Sequence, residues 1–301
     1  MLAVVVAAAL QLGIGPTPAP TPAPSEVVLA SPRVVVPLTY ARKRITIQAT
    51  INGAGPFTLL LNTNARLSLS PEALAAAHVA VLDQPMPTPG PVLTSASAVT
   101  PNPPPKIALV PEIAIAGVEL KNVTAVANFR RGAVDGTIGY PLFARLRSRI
   151  DVRAATIVFT DPENDRTALA GTVIAMEIKR SQTPAVDGVV DGIAGVFLFD
   201  TATPSGLVLT SPFVNSHNLY TRATGSAAEE NPGDTRFLAA RPLNLNLGTL
   251  ACGLVPTKLS TANAGIGSDP YSAGTLGMTI LEKYIVTFDF PNGQVALEKY
   301  P

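Results

Sequence analysis

GTIGYPLFARLRSRID, residues Gly136 to Asp151, lies over GTLGMTILEKYIVTFD, Gly274 to Asp289, without a gap and at a displacement of 138 residues. The same displacement carries LLLNTNA (Leu59 to Ala65) onto FLFDTAT (Phe197 to Thr203). In each copy the polar residue of the earlier motif, Asn62 or Asp200, precedes the second glycine of the later one, Gly139 or Gly277, by 77 positions. One offset held across two separated motifs marks an internal duplication. The chain reads as two copies of one fold.

Local signals agree between the copies. Asn52-Gly53 precedes the first apolar run and Asp191-Gly192 the second, and both dipeptides suit the left-handed conformations of a tight hairpin turn. Each run is therefore expected to be the second strand of a hairpin. Ser70-Pro71-Glu72 and Ser211-Pro212 then read as helix starts, with serine as the cap and proline in the first turn. That pair is displaced by 141, which implies about three extra residues near Thr203 to Gly206 in the second copy. Short helices over Pro141 to Arg147 and Thr279 to Tyr284 are expected to lead into strands ending at Asp151 and Asp289.

Composition supports a mostly-β chain. Charged residues make up 14% of the 301 positions and apolar residues 47%, against about 25% charged in average soluble domains. A disordered or highly charged chain is excluded. With 29 prolines, 23 glycines and no tryptophan, many short strands joined by turns are expected. Lys and Arg number 22 against 21 Asp and Glu, so there is no basic field and no nucleic-acid partner is expected. One cysteine, Cys252, and two histidines, His78 and His217, leave no internal disulfide and no zinc or other metal site. No phosphate-binding or dinucleotide motif is present, so no cofactor is expected. Cys252 reads as a small core residue, and the histidines as partly exposed residues at helix ends.

Residues 1–24 combine an apolar stretch, Met1 to Gly15, with the Pro-rich run PTPAPTPAP. The stretch is shorter than the ~20 residues that span a bilayer and reads as an export signal followed by a spacer. The expected location is periplasmic or extracellular, with no membrane contact beyond that segment. Residues 25–165 then form the first lobe and 166–301 the second. Pro85 to Pro105 cannot be a central strand, because each proline lacks a donor, and reads as an exposed loop. Thr221 to Thr235 reads likewise.

An apolar run feeding into Asn62-Thr63-Asn64-Ala65 or Asp200-Thr201-Ala202-Thr203 places a polar side chain at the end of a buried strand, and the duplication sets two such loops about a pseudo-two-fold axis. In these residues, with Thr137-Ile138-Gly139 and Thr275-Leu276-Gly277, the chain resembles the retropepsin-like and pepsin-like aspartic proteases. The likeness is strongest to bacterial exported forms with two fused lobes, and it covers about residues 35 to 300. It implies a two-lobed fold of closed β units, an interlobe cleft for an extended peptide or protein, and a monomer. It also implies that Ile138-Gly139 and Leu276-Gly277 pack beneath the loops, and that Thr63 and Thr201 bond across the lobes.

The implied chemistry needs two carboxyls about 3 Å apart sharing one proton, so that one activates water while the other protonates the substrate carbonyl. Here the dyad is Asn62 and Asp200. Asn62 stands in the equivalent position but has no proton to share, and Asp200 is expected to be ionised near neutral pH. Asn64 and Ala202 replace the glycine of the family motif; Asn tolerates positive φ better than Ala. Three readings follow: an aspartic endopeptidase with low or lost activity, a peptide- or protein-binding pseudoenzyme, and a dimer in which two copies of Asp200 meet. Asp151 and Asp289, at strand ends beside turns, are read as structural.

Overall fold

The computed structural model describes residues 24, 26–85, 106–127, 132–179, 182–226, 237–263 and 265–301. The stretch read as an export signal, almost all of the stretch Pro85 to Pro105 read as an exposed loop, and residues 227–236, which take in the end of the stretch from Thr221, lie outside them.

Among the described residues, six strands form the closed ring of the first lobe: β1 (Arg44–Ile51), β2 (Ala54–Leu61), β3 (Leu67–Leu69), β4 (Lys106–Ile115), β5 (Val118–Val126) and β6 (Gly136–Ile138). Along β1, Ile45, Ile47, Ala49 and Ile51 point inward and are buried while the residues between them are more exposed, the period-2 pattern of a strand with one face on a core. The hairpin β1–β2 turns on Asn52 and Gly53 at φ 49° and 76°, the conformation that asparagine tolerates and glycine adopts freely. Hydrogen bonding runs β5-β3-β6-β2-β1-β4 and closes through β4 with β5. Closure removes the open edges of this six-membered ring.

The second lobe repeats it with β7 (Pro184–Val190), β8 (Ile193–Phe199), β9 (Leu207–Leu209), β10 (Phe237–Leu247), β11 (Leu250–Ser260) and β12 (Gly274–Leu276). The order is β7-β8-β12-β9-β11-β10, closed by β7 with β10, and the hairpin turn is Asp191-Gly192 at φ 46° and 85°. The chain is thus mostly β, in two closed barrels of like topology.

Three expectations need correction. Helices α2 (Tyr140–Phe143) and α4 (Met278–Leu281) are one turn long, because Arg147 and Tyr284 are already the first residues of strands that join the lobes. The Ser-Pro pairs, 141 apart, are also not equivalent: β3 and β9 differ by 140, so the second copy carries two extra residues rather than three, and the residue matching Ser70 is Thr210. Ser70 Oγ accepts from Ala73 N to cap α1 (Pro71–Ala76). Thr210 precedes α3 (Ser211–Ser216) without a side-chain cap, its hydroxyl donating to the Ser272 carbonyl, while Ser211 Oγ donates to the Ala262 carbonyl. Finally, the stretch from Thr221 is not all loop: Leu219–Arg222 is a 3-10 turn and Ala223–Ser226 a strand paired to β10. Its counterpart Val81–Pro85 pairs with β4.

The lobes meet in a six-stranded sheet ordered Thr172–Ala175, Gln294–Lys299, Tyr284–Asp289, Arg147–Asp151, Thr156–Thr160, Arg33–Pro37. Its central pair is antiparallel, with Arg149 opposite Thr287, residues that are themselves one repeat apart. The pseudo-two-fold axis therefore passes through the middle of this sheet. Phe143 of the first lobe packs on Phe288 and Phe290 of the second at ring separations of 5.9 and 5.6 Å. Tyr40 Oη donates to Glu282 Oε2 at 2.6 Å, and Lys43 pairs with the same carboxylate.

Across the central pair, Arg147 Nε donates to Asp289 Oδ2 at 2.9 Å and Nη2 lies 2.9 Å from the same oxygen. The Asp289 side chain is 0% exposed, and Asn292 donates to it from its backbone and its amide. Removing one partner of such a pair strands a buried charge. Arg147→Ala is accordingly expected to cost about 3–5 kcal/mol in urea denaturation, with much of the loss recovered in Arg147→Met/Asp289→Leu.

Candidate functional site

Strand β2 delivers Asn62 and strand β8 delivers Asp200 to two sharp loops, and each loop rests on the end of a neighbouring strand of its own lobe. Asn62 N donates to the Ile138 carbonyl at 2.9 Å, and Asp200 N to the Leu276 carbonyl at 3.0 Å. The glycines that follow permit this contact. A Cβ on Gly139 would lie 1.8 Å from the Asn62 carbonyl oxygen, and one on Gly277 would lie 2.3 Å from that of Ser205. Real side chains do not approach backbone so closely, so only glycine fits beneath either loop.

The loops are joined by threonines one repeat apart. Thr63 N donates to Thr201 Oγ1 at 3.1 Å and Thr201 N to Thr63 Oγ1 at 3.3 Å. Each hydroxyl then donates onward to the opposite lobe, Thr63 Oγ1 to the Phe199 carbonyl and Thr201 Oγ1 to the Leu61 carbonyl, both at 3.0 Å. Thr63 and Thr201 are both buried. Both amides and both hydroxyls thus have partners, which is what buried polar groups require.

Within each loop the first side chain accepts from the amide two residues on, Asn62 Oδ1 from Asn64 N at 3.1 Å and Asp200 Oδ1 from Ala202 N at 2.8 Å. Neither Asn64 nor Ala202 is among the residues with positive φ, so the strain expected at Ala202 is absent. These Asx-type turns fix the backbone by side-chain bonds instead. The loops differ at their fourth position. Thr203 Oγ1 donates to Asp200 Oδ2 at 2.7 Å, whereas the matching Ala65 has no hydroxyl.

Asp200 is buried at 4% exposure and Asn62 only partly so. Burial pushes the Asp200 carboxyl above the usual carboxylate range, opposed by donors from Thr203, Ala202 and Asn64. Sequence reasoning passed over Thr203 as a partner of the Asp200 carboxyl. The contrast of Thr203 with Ala65 was the available signal.

Other candidates fall away from this point. His78 and His217 are exposed at the ends of α1 and α3, His217 against the Phe213 ring at 4.7 Å. Cys252 is half-buried at the core's margin rather than in the core, and burial pushes its thiol up. Asp151 accepts from the amides of Arg153 and Ala154 and from Tyr300 Oη, and so holds a turn. Among the described residues no group of three or more His, Cys, Asp or Glu could hold a metal ion, and no helix is long and apolar enough to cross a membrane.

No family model matches the chain, and no curated protein does. Solved structures do. An aspartic proteinase from Irpex lacteus aligns with a TM-score of 0.53 at 12% identity, over 89% of this chain and 97% of that one. Basic 7S globulin from soybean aligns with a TM-score of 0.49 at 13% identity, over 88% and 94%. At these identities the likeness is one of fold, and the fold is similar to the two-lobed pepsin-like one.

Thr63→Val and Thr201→Val each leave a buried amide of the partner loop and a carbonyl unpaired, and each is expected to lose roughly 2–3 kcal/mol in chemical denaturation. The double variant should lose less than the sum, since both act on one network. Asp200 gives a pH test. Its folded pKa is raised, so its contribution to stability is fullest below the unfolded value, near 3.8, and is lost as pH rises through the folded value. Relative to Asp200→Asn, the natural chain should therefore lose stability on going from acid toward neutral pH, read as the difference between the two melting curves.

Proposed function

We propose that the chain is an aspartic-endopeptidase-type protein that receives an extended peptide or protein segment between its lobes, with cleavage by the monomer low or lost. One observation carries the reading. The two positions related by the repeat, on loops bonded by Thr63 and Thr201, hold one carboxyl and one amide. Peptide hydrolysis of this type needs a shared proton on two carboxyls. Asp200 can accept hydrogen bonds and orient water, but Asn62 neither stores nor delivers a proton. Loss of a general acid alone slows such a reaction by roughly 10²- to 10⁴-fold.

Binding survives that loss. An extended segment is held by main-chain hydrogen bonds and alternate side-chain contacts, neither of which depends on the dyad. The preserved joint between the loops and the satisfied polar groups around it support a maintained scaffold. The apolar N-terminal stretch and its proline spacer support an exported, periplasmic or extracellular location.

The test is incubation of the mature chain with a diverse peptide mixture between about pH 3 and 7, read by mass spectrometry, beside Asp200→Ala and with fluorescence anisotropy of peptides from the same mixture. The expected result is no cleavage above that of Asp200→Ala, together with saturable peptide binding by both. Cleavage that Asp200→Ala abolishes would instead establish a protease working with one carboxyl or as a dimer.

A further inference from the structure

Each barrel closes through a short strand, β3 meeting β5 at Ala125 and Val126, and β9 meeting β11 at Thr257 to Leu259. The earlier residues of β5 and β11 run on past that closure. Ala125 and Thr257 stand opposite the first residue of the closing strand, and Val118 and Leu250 begin the two long strands; both pairs are 132 residues apart. Val118–Lys121 of the first lobe therefore corresponds to Leu250–Gly253 of the second.

In the first lobe this edge is filled. The strand Glu26–Leu29 lies antiparallel along it, with Leu29 opposite Val118, Val27 opposite Leu120 and Glu26 opposite Lys121. Val27 and Leu29 pack against the core, and Val118 and Leu120 are fully buried. In the second lobe, among the described residues, no strand pairs with Leu250–Gly253 on the side away from β10. The repeat gives the reason. Val35 and Val173, 138 residues apart, stand opposite Val158 and Ala296, also 138 apart, so EVVL at residues 26–29 becomes NDRT at 164–167. That polar segment stays with the interlobe sheet, where the Thr167 carbonyl accepts from Arg147 Nη1. On β11 the uncovered residues are apolar. Cys252, in the place of buried Leu120, is only half-buried, and Leu254, in the place of Asn122, is 69% exposed.

We propose that the edge Leu250–Leu254 is a second binding site, which takes an extended segment of another polypeptide as an added antiparallel strand. The filled edge of the first lobe sets the chemistry of the occupant: a run like Glu-Val-Val-Leu, with alternate apolar side chains opposite Leu250 and Cys252 and its main chain bonded to β11. An open strand edge is a ready template for such pairing. The site lies apart from the loops of Asn62 and Asp200 and stands whether or not a peptide enters between the lobes.

Cys252 is the single cysteine of the chain and reports on the site. Its alkylation rate is measured in the whole protein against a synthetic peptide PSEVVLAS, residues 24–31. A saturable slowing of at least about threefold is expected, since a docked strand covers the thiol. The same peptide carrying Val27→Pro and Val28→Pro loses its ladder donors and is expected to have no effect. Register is read by disulfide coupling to Cys252 in a glutathione buffer. A peptide with Val27→Cys sets its thiol opposite Cys252 and is expected to couple at least about tenfold more than one with Val28→Cys, whose side chain points to the other face. No slowing at millimolar peptide, equal slowing by the proline peptide, or equal coupling of the two cysteine peptides overturns the proposal. Slowing that grows with protein concentration in the absence of peptide assigns the edge to a second copy of this chain and overturns its assignment to a separate segment.

Discussion

The structure hangs on the exchange of hydrogen bonds between Thr63 and Thr201. Each side chain accepts from the amide of the other and donates to a strand-end carbonyl across the interface, to Phe199 and to Leu61. A hydroxyl that both accepts and donates is what this geometry demands, and threonine and serine are the compact side chains that supply one. With these bonds made, the ends of β2 and β8 cannot slide past one another. The positions of Asn62, Asn64 and Asp200 then follow from chain connectivity, because each loop is also pinned below by a glycine-ended strand.

Much of this was legible in the residues, for a physical reason. Duplication writes every structural requirement twice, so Gly139 and Gly277, or Asn52-Gly53 and Asp191-Gly192, are each supported by the other. What a repeat cannot reveal is a contact between copies. The pairing of Arg147–Asp151 with Tyr284–Asp289 and the Tyr40, Lys43 and Glu282 cluster join residues far apart in the chain, and the likeness of two motifs does not say that they touch. Helix lengths were misjudged because Arg147 and Tyr284 carry no breaker; the sheet claims them by pairing rather than by propensity.

The two halves differ in a few polar side chains at equivalent positions. Asn62 stands one repeat before Asp200, Ala65 matches Thr203, and the cap at Ser70 is replaced at Thr210 by a bond to Ser272. Each exchange keeps the backbone and changes which polar atoms are offered. A scaffold held by its threonine joint and buried barrels tolerates this, because the side chains that differ are not those that bear the load of packing.

The ion pair between Arg147 and Asp289 restricts how the lobes can be partnered. One repeat beyond Arg147 stands Ile285, so a second lobe set against its own copy in the same register would place isoleucine opposite Asp289 on both sides. Two fully buried carboxylates would lose their guanidinium, at a cost of several kcal/mol for each. The first lobe set against itself would place Arg147 opposite Asp151, which here holds a turn with Arg153, Ala154 and Tyr300. The two halves have become complementary rather than interchangeable, which argues against an Asp200 pair assembled from two chains and for a covalent heterodimer in all but name.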